Sequence, residues 1–189
     1  MQDFLSVLKS RRTVRSYTAE PVREQDLQEL IDLAVLAPTG MGAQPWAFTV
    51  VTSSEVMRQL NAIVLGVLRS PHMQPFLASE GMQEWVSRPN ADIFYGAPAL
   101  IGISGNAQAP STAIDCQLAA ENLFLAAHAK GLGTCYMGFL VMTAESPQIQ
   151  TCLRIPEGHR LLAAAVVGHP ALPPDGPPKR NPARIEWVR

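Results

Sequence analysis

Residues Ser111 to Lys130 read as the longest helix in the chain, and the surface of that helix restricts the fold more than any other feature. Ala113, Ala119, Ala120, Ala126, Ala127 and Ala129 leave it smooth. A second helix can approach such a surface closely, because little side-chain bulk holds the two axes apart. The approaching helix belongs either to the same core or to a second subunit. Glu121 and Asn122 in mid-helix argue that one side is not plain core. Lys130-Gly131 ends the helix with a cation that complements its dipole and a glycine suited to the turn. Arg160 to Gly168 supplies the matching strand, an Ala- and Val-rich apolar run of the kind that is buried.

Other elements follow from periodicity. Leu27, Leu30, Ile31 and Ala34 recur at helical spacing and predict a helix from about Glu24 to Ala37, stopped by Pro38. Ala47 to Thr52 and Ala99 to Ser104 predict strands, the second announced by Gly96-Ala97-Pro98. Ser53 or Ser54 caps a helix carrying Val56, Met57, Leu60, Val64 and Val67. A short helix is expected near Ser146 to Leu153. Between Ser70 and Asn90 the pattern is broken by Pro71, Pro75, Gly81 and Pro89. Met73, Phe76, Leu77, Met82 and Trp85 keep apolar bulk there, as in a surface helix with a buried face or in a lid. With no repeat and no linker, residues 1–189 are expected to form one domain. Helices flank at least three strands with few βαβ units, so the expected class is α+β with a mixed or antiparallel sheet.

Composition excludes several partners. Fifteen basic residues against sixteen acidic give a formal charge of -1, which argues against a nucleic-acid-binding or anionic-membrane surface. The longest apolar run, Leu161 to Gly168, is too short to span a membrane. Cys116, Cys135 and Cys152 show neither CxxC nor zinc spacing and are expected as reduced thiols. No basic and apolar leader precedes the first helix, and the expected location is cytoplasmic.

Against this neutral background Lys9, Arg11, Arg12 and Arg15 crowd together, interleaved with Ser10, Thr13 and Ser16. Like charges this dense repel unless an anion or solvent separates them. Guanidinium forks and hydroxyls suit a phosphate. The same cations could merely complement the C-terminal dipole of a short amphipathic helix, Met1 to Lys9, with Phe4, Leu5 and Leu8 on one face. A second cationic group, Lys179, Arg180, Arg184 and Arg189, lies in the Pro-rich tail. Thr39-Gly40-Met41-Gly42-Ala43 is a small-residue loop in which backbone can come close to a ligand.

Catalytic motifs are missing. There is no GxSxG elbow, Walker A loop, HExxH or kinase loop. The GxG at Gly131 and Gly133 follows a helix, so it is not a dinucleotide fingerprint. The four histidines are scattered. A phosphate grip without a nucleophile, paired acid or metal set points to a cofactor that carries the chemistry.

The order Ser10-Arg11-Arg12-Thr13-Val14-Arg15-Ser16-Tyr17, Ala37-Pro38-Thr39-Gly40-Met41-Gly42-Ala43-Gln44-Pro45-Trp46, Gly96-Ala97-Pro98, Gly131 to Gly138, Val167-Gly168-His169-Pro170 and Lys179-Arg180 resembles the FMN-dependent nitroreductase family. The resemblance spans nearly the whole chain. It implies an α+β nitroreductase-like fold, a domain-exchanged homodimer with a mixed sheet flanked by helices, and FMN at the subunit interface. It implies that Arg11, Arg12, Thr13 and Arg15 surround FMN, the first residues near the phosphate or ribityl chain and Arg15 nearer the ring. Gln44 would face the flavin, and Pro38, Thr39 and Gly40 would come from the partner subunit. Met137 and Gly138 would lie over the ring, and Arg180 with Lys179 would close the phosphate site. The smooth helix would be the dimer core.

The activity implied is hydride transfer from NAD(P)H through FMN to a small nitroaromatic, quinone or similar acceptor, in two steps. Alternatives on the same scaffold are reductive dehalogenation, flavin fragmentation, or a flavin-binding module without catalysis. Two departures stand out. Gly42 occupies a position where the family commonly has asparagine, and the helix after Ser54 lacks the lysine that many members place near the flavin. The chain is also short for the family, which implies a reduced lid, with Phe76, Met82 or Trp85 as candidate acceptor contacts.

Overall fold

Alternate residues of a strand face opposite ways, and the two central strands use both faces. The computed structural model describes residues 3–77, 79–106, 108–173, 176 and 179–189. Among these, four strands form one sheet in the order β1-β2-β4-β3: β1 is Trp46–Val51, β2 Ala99–Asn106, β3 Gly133–Tyr136 and β4 His159–Gly168. Each neighbouring pair is antiparallel. The expected α+β class therefore holds with an antiparallel sheet. A parallel contact enters at one isolated bridge, Thr13 to Thr134.

Leu100, Ala164 and Val166 fill one core, while Ala99, Ile101, Ile103, Ala163, Ala165 and Val167 fill the other. Burial on both faces explains why these strands read as continuous apolar runs rather than alternating ones. A bulge refines the pattern. Ile103 pairs with Ala163 but Ser104 pairs with Leu161, which leaves Leu162 extra on β4. Leu161 thereby moves to the first face, over Gly102, although its parity assigns it to the second.

Helices α2 (Glu24–Ala34) and α5 (Thr112–Ala129) cover the second face. Helix α2 buries Leu27, Leu30 and Ala34 and stops at Ala34, one turn before the expected Ala37. Leu36 and Ala37 instead complete a turn onto Leu33 and Ala34, so the chain leaves the helix before Pro38 is reached. Helix α5 buries Cys116, Ala119, Ala120, Leu123 and Ala127 but leaves Ile114 and Leu118 exposed. Lys130 beyond it reaches Glu29 at 2.6 Å and Asp26 at 3.3 Å, tying its end to α2.

Helices α3 (Ser54–Leu68), α4 (Glu80–Ser87), α6 (Gly138–Met142) and α7 (Pro147–Cys152) lie over the first face. Ser53 caps α3 by accepting the Val56 N–H at 3.3 Å, and Ser79 caps α4 through Met82. Helix α4, with the turns before it, is anchored: Met73, Leu77 and Val86 are buried, and the Arg69 guanidinium donates to the Val86 and Arg88 carbonyls. It forms a surface helix with a buried face, although Phe76 stays exposed. The first helix, α1, runs over Phe4–Ser10; Met1 and Gln2 of its expected span lie outside the described residues. Its apolar residues do not meet the core as an amphipathic reading would have it. Val7 is buried, whereas Phe4, Leu5 and Leu8 face solvent. The three cysteines are free thiols.

Candidate cofactor site

Beyond α1 the basic segment runs extended along the outer edge of β3. Thr13 bridges Thr134, and the Val14 N–H donates to the Thr134 carbonyl at 2.9 Å. Tyr17 then bridges Pro170, and its hydroxyl donates to the Val14 carbonyl at 2.7 Å. Val14 is buried, so Thr13 and Arg15 on either side of it face outward and are exposed. The side-chain alternation of a strand thus separates one buried anchor from the polar residues around it.

Gly133 makes this docking possible. A β-carbon there would stand 2.8 Å from the Val14 side chain. We expect Gly133→Ala to destabilise the fold by about 1–3 kcal/mol, the usual range for forced overpacking. The urea midpoint checks this; an unchanged midpoint would show that the segment tolerates displacement.

The cations differ in what they touch. The Arg12 guanidinium turns back on the helix end and donates to the Lys9 carbonyl at 2.9 Å and to the Arg11 carbonyl. For Arg12, then, the helix-end contact is real. Arg11 and Arg15 make no ion pair with a carboxylate among the described residues. His128 near the C-terminus of α5 meets Ser10 Oγ through Nε2 at 2.8 Å. Burial lowers its pKa, and the nearby charges of Arg11 and Arg12 lower it further. Arg15 lies beside the Tyr95 hydroxyl and the Cys135 thiol. Burial raises the pKa of both groups, and the positive charge of Arg15 opposes that rise.

Met137 and Gly138 follow β3 directly. The Met137 N–H donates to Ala164 O at 2.8 Å, and its side chain is buried. Both residues line a cleft of about 30 Å³ with Ile93, Tyr95, Tyr136, Phe139 and Leu140. Trp85 of α4 stacks on Phe139 at 6.2 Å and lies 6.5 Å from Tyr95, measured between ring centroids. The basic segment therefore lies along the outer edge of β3, and Met137 and Gly138 follow the last residue of that strand.

Pro38, Thr39, Gly40 and Gln44 are elsewhere. The Gly40 N–H donates to Asp115 Oδ1 at 3.1 Å, and Ser111 donates to Asp115 Oδ2 at 2.8 Å. A β-carbon at Gly40 would come within 2.7 Å of Ser111 Cβ, so the loop sits tightly on the start of α5. Gln44 is held at φ 43° just before β1. Asp115 and His128 are contacts of these two regions on the same helix. At 1.5 Å per residue their positions are about 20 Å apart. The strand order agrees, since β1 and β3 are opposite edges of the sheet. Lys179 and Arg180 are exposed in the tail.

A cavity of about 580 Å³ lies apart from all these residues, lined by Pro21, Val22, Met57, Asn61, Phe94 and Pro98 among others. Its half-buried Asn61 and Asp92 are occupied: they bond the backbone of residues 91–96. Sequence reasoning missed Tyr95, Asp115 and His128 as members of these regions. The Asp92-to-Gly96 spacing was a usable turn signal for the first; the other two carry no local signal, because tertiary packing alone brings them to the loop and the basic segment.

An antiparallel sheet covered by helices on both faces, with a basic segment along one edge, defines an α+β protein. The sequence profile of the nitroreductase family matches residues 8–169, and the chain belongs to that family. It is 30% identical over 165 residues to the 4-nitrobenzoate reductase of Pseudomonas putida, covering 70% of this chain and 71% of that protein. It is 26% identical over 187 residues to the NADPH-flavin oxidoreductase of Vibrio harveyi, covering 98% of this chain and 72% of that one. The crystal structure of a nitroreductase with bound FMN from Bacteroides fragilis superposes with a TM-score of 0.85 at 26% identity, covering the whole of both chains.

Proposed function

We infer that this protein is an FMN-dependent oxidoreductase that passes reducing equivalents from NAD(P)H to a nitroaromatic, quinone or similar electrophilic acceptor in a two-step cycle. The observation that carries this reading is the pair of unneutralised guanidinium groups, Arg11 and Arg15, on the edge of β3. Their chemistry fits FMN: a dianionic phosphate and a pyrimidine end on which negative charge develops suit two fixed cations. Bound FMN would supply the two-electron redox chemistry that no side-chain set in this chain offers.

The chain's own residues have distinct parts in this reading. Arg11 and Thr13 take the phosphate or ribityl chain, with Lys179 and Arg180 closing over it. Arg12 supports the same end while its guanidinium braces α1. Arg15 takes the pyrimidine edge, and Met137 and Gly138 form the wall beside the reactive ring. Gln44 faces the flavin, and Pro38, Thr39 and Gly40 serve the site of the partner subunit, because the α5 positions touched by Gly40 and by Ser10 stand about 20 Å apart. A homodimer is thus part of the proposal. Exposed Phe4, Leu5 and Leu8 on α1 with Ile114 and Leu118 on α5 support it. The free edge of β1 and the exposed Ile185 and Trp187, alternating with Arg184 and Glu186, support exchange of the tail between subunits.

The test is spectroscopic. The purified protein, supplied with FMN, should show a flavin spectrum that NADH or NADPH bleaches anaerobically and that a nitroaromatic or quinone restores. A bound flavin that neither nucleotide reduces would remove the reductase reading.

A further inference from the structure

Helix α1 spans seven residues, too few for a helix to persist in water without tertiary contacts. Phe4, Leu5 and Leu8 are exposed, and Val7 is its buried residue. It packs on α5. Among the described residues a single side-chain hydrogen bond joins it to another element, that between Ser10 Oγ and His128 Nε2 at 2.8 Å. The chemistry of Ser10 settles the direction of this bond. A serine hydroxyl carries one proton, and here that proton goes to the Ser6 carbonyl at 2.7 Å. Toward His128, Ser10 Oγ therefore accepts, and Nε2 donates.

A histidine in the last turn of a helix ordinarily acts as a cation that complements the dipole. His128 does not. Burial first, then the charges of Arg11 and Arg12, hold its pKa below the usual imidazole value of about 6.5, so the ring is neutral at pH 7. What the ring does is fix a point. Ser10 is the last residue of α1, and Arg11 follows with its N–H on the Val7 carbonyl. Val14 is fixed again further on: its N–H donates to Thr134, and its side chain fills the space that Gly133 leaves. Arg11, Arg12 and Thr13 thus form a short span pinned at both ends, by His128 on one side and by the docking of Val14 on the other. A long side chain on a loose backbone samples many positions. One that is ordered before its ligand arrives gives up less freedom on binding.

We propose that His128 is a positioning residue of the flavin-phosphate grip, its Nε2–H holding Ser10 Oγ and so fixing the end of α1 from which Arg11 reaches the phosphate. Its influence stops at Val14, so Arg15 and the ring end of the site do not depend on it. The proposal rests on the flavin reading above.

The test compares FMN with riboflavin, which has the same ring and ribityl chain but no phosphate. Dissociation constants for both are measured on the wild type, His128→Leu, His128→Gln, Ser10→Ala and the His128→Leu/Ser10→Ala pair. His128→Leu and Ser10→Ala are each expected to weaken FMN about 3- to 10-fold, as the renewed ordering of one long side chain would, and to leave riboflavin unchanged. Combined, they should weaken FMN no further than either alone, because both break the same bond. His128→Gln places an amide N–H where Nε2 stood and should return FMN to within about twofold of the wild-type affinity. Wild-type FMN affinity in Ser10→Ala, equal losses for FMN and riboflavin, effects that add in the pair, or a His128→Gln protein as weak as His128→Leu would each overturn the role. Ser10 is exposed, so Ser10→Ala carries the test even where His128→Leu fails to fold. A wild-type protein that takes up no FMN overturns the flavin reading instead, before any variant is compared.

Discussion

The Arg11→Ala/Arg15→Ala double variant is expected to fold normally and to lose its flavin. Each guanidinium that hydrogen-bonds an anionic group contributes about 1.5–3 kcal/mol. Removing both therefore weakens FMN by on the order of 10²–10⁴-fold, at about 1.4 kcal/mol per factor of ten. Stability of the flavin-free protein should barely move. Arg15 is exposed, Arg11 half-buried, and neither is ion-paired to a carboxylate among the described residues. The backbone N–H of Arg11, which donates to the Val7 carbonyl at 2.9 Å and ends α1, survives the substitution. Titration with FMN and a melting curve of the flavin-free protein separate the two effects. A double variant that holds FMN as tightly as the wild type would show that these cations serve only the helix end, as the Arg12 contacts already do.

Deleting residues 179–189 is the second large perturbation. Ile185, Trp187 and Val188 are 63%, 76% and 94% exposed. Burying side chains of this size contributes about 1.5–3 kcal/mol apiece. Two exchanged tails would thus supply on the order of 10 kcal/mol to a dimer, which is enough to decide whether one forms at micromolar concentration. The same deletion removes Lys179 and Arg180. Sedimentation should find a monomer, and FMN affinity should fall by about 100-fold or more, from the loss of these two charged contacts alone. A truncated protein that stays dimeric and yellow would place both the interface and the phosphate grip elsewhere.

The local elements were legible because each is written in neighbouring residues. Helix α3 shows its period in Met57, Leu60 and Val64 and its start in Ser53, which caps it in the structure. Strand β4 shows its double burial in an unbroken apolar run. The end of α2 was misplaced because Leu36 and Ala37 continue the apolar pattern after the backbone has already turned. Periodicity reports which residues are apolar, and a turn stacked on a helix end satisfies the same pattern. The apolar residues of α1 were placed on one face correctly, but nothing in seven residues tells whether that face meets its own core or a second chain.

The candidate site divides the same way. Its residue types were readable: dense cations with hydroxyls, a small-residue loop, and a glycine-punctuated strand, in an order specific to one family. Their geometry was not. Strand order puts the segments that carry Arg11 and Gly40 at opposite edges of the sheet, and the length of α5 holds them apart.

From the chain alone came most of the elements, the burial of the strand from Arg160 to Gly168, the near-zero net charge, and the ordered motifs that identify the family. All of these depend on side-chain chemistry and spacing along the backbone. Only the tertiary structure decided that Leu161 changes face at a bulge, that Arg12 braces its own helix, and that Tyr95 is held left-handed between the two hydrogen bonds of Asp92. These are contacts between residues distant in sequence or backbone choices imposed by such contacts. Their energies come from groups that meet only once the sheet has closed.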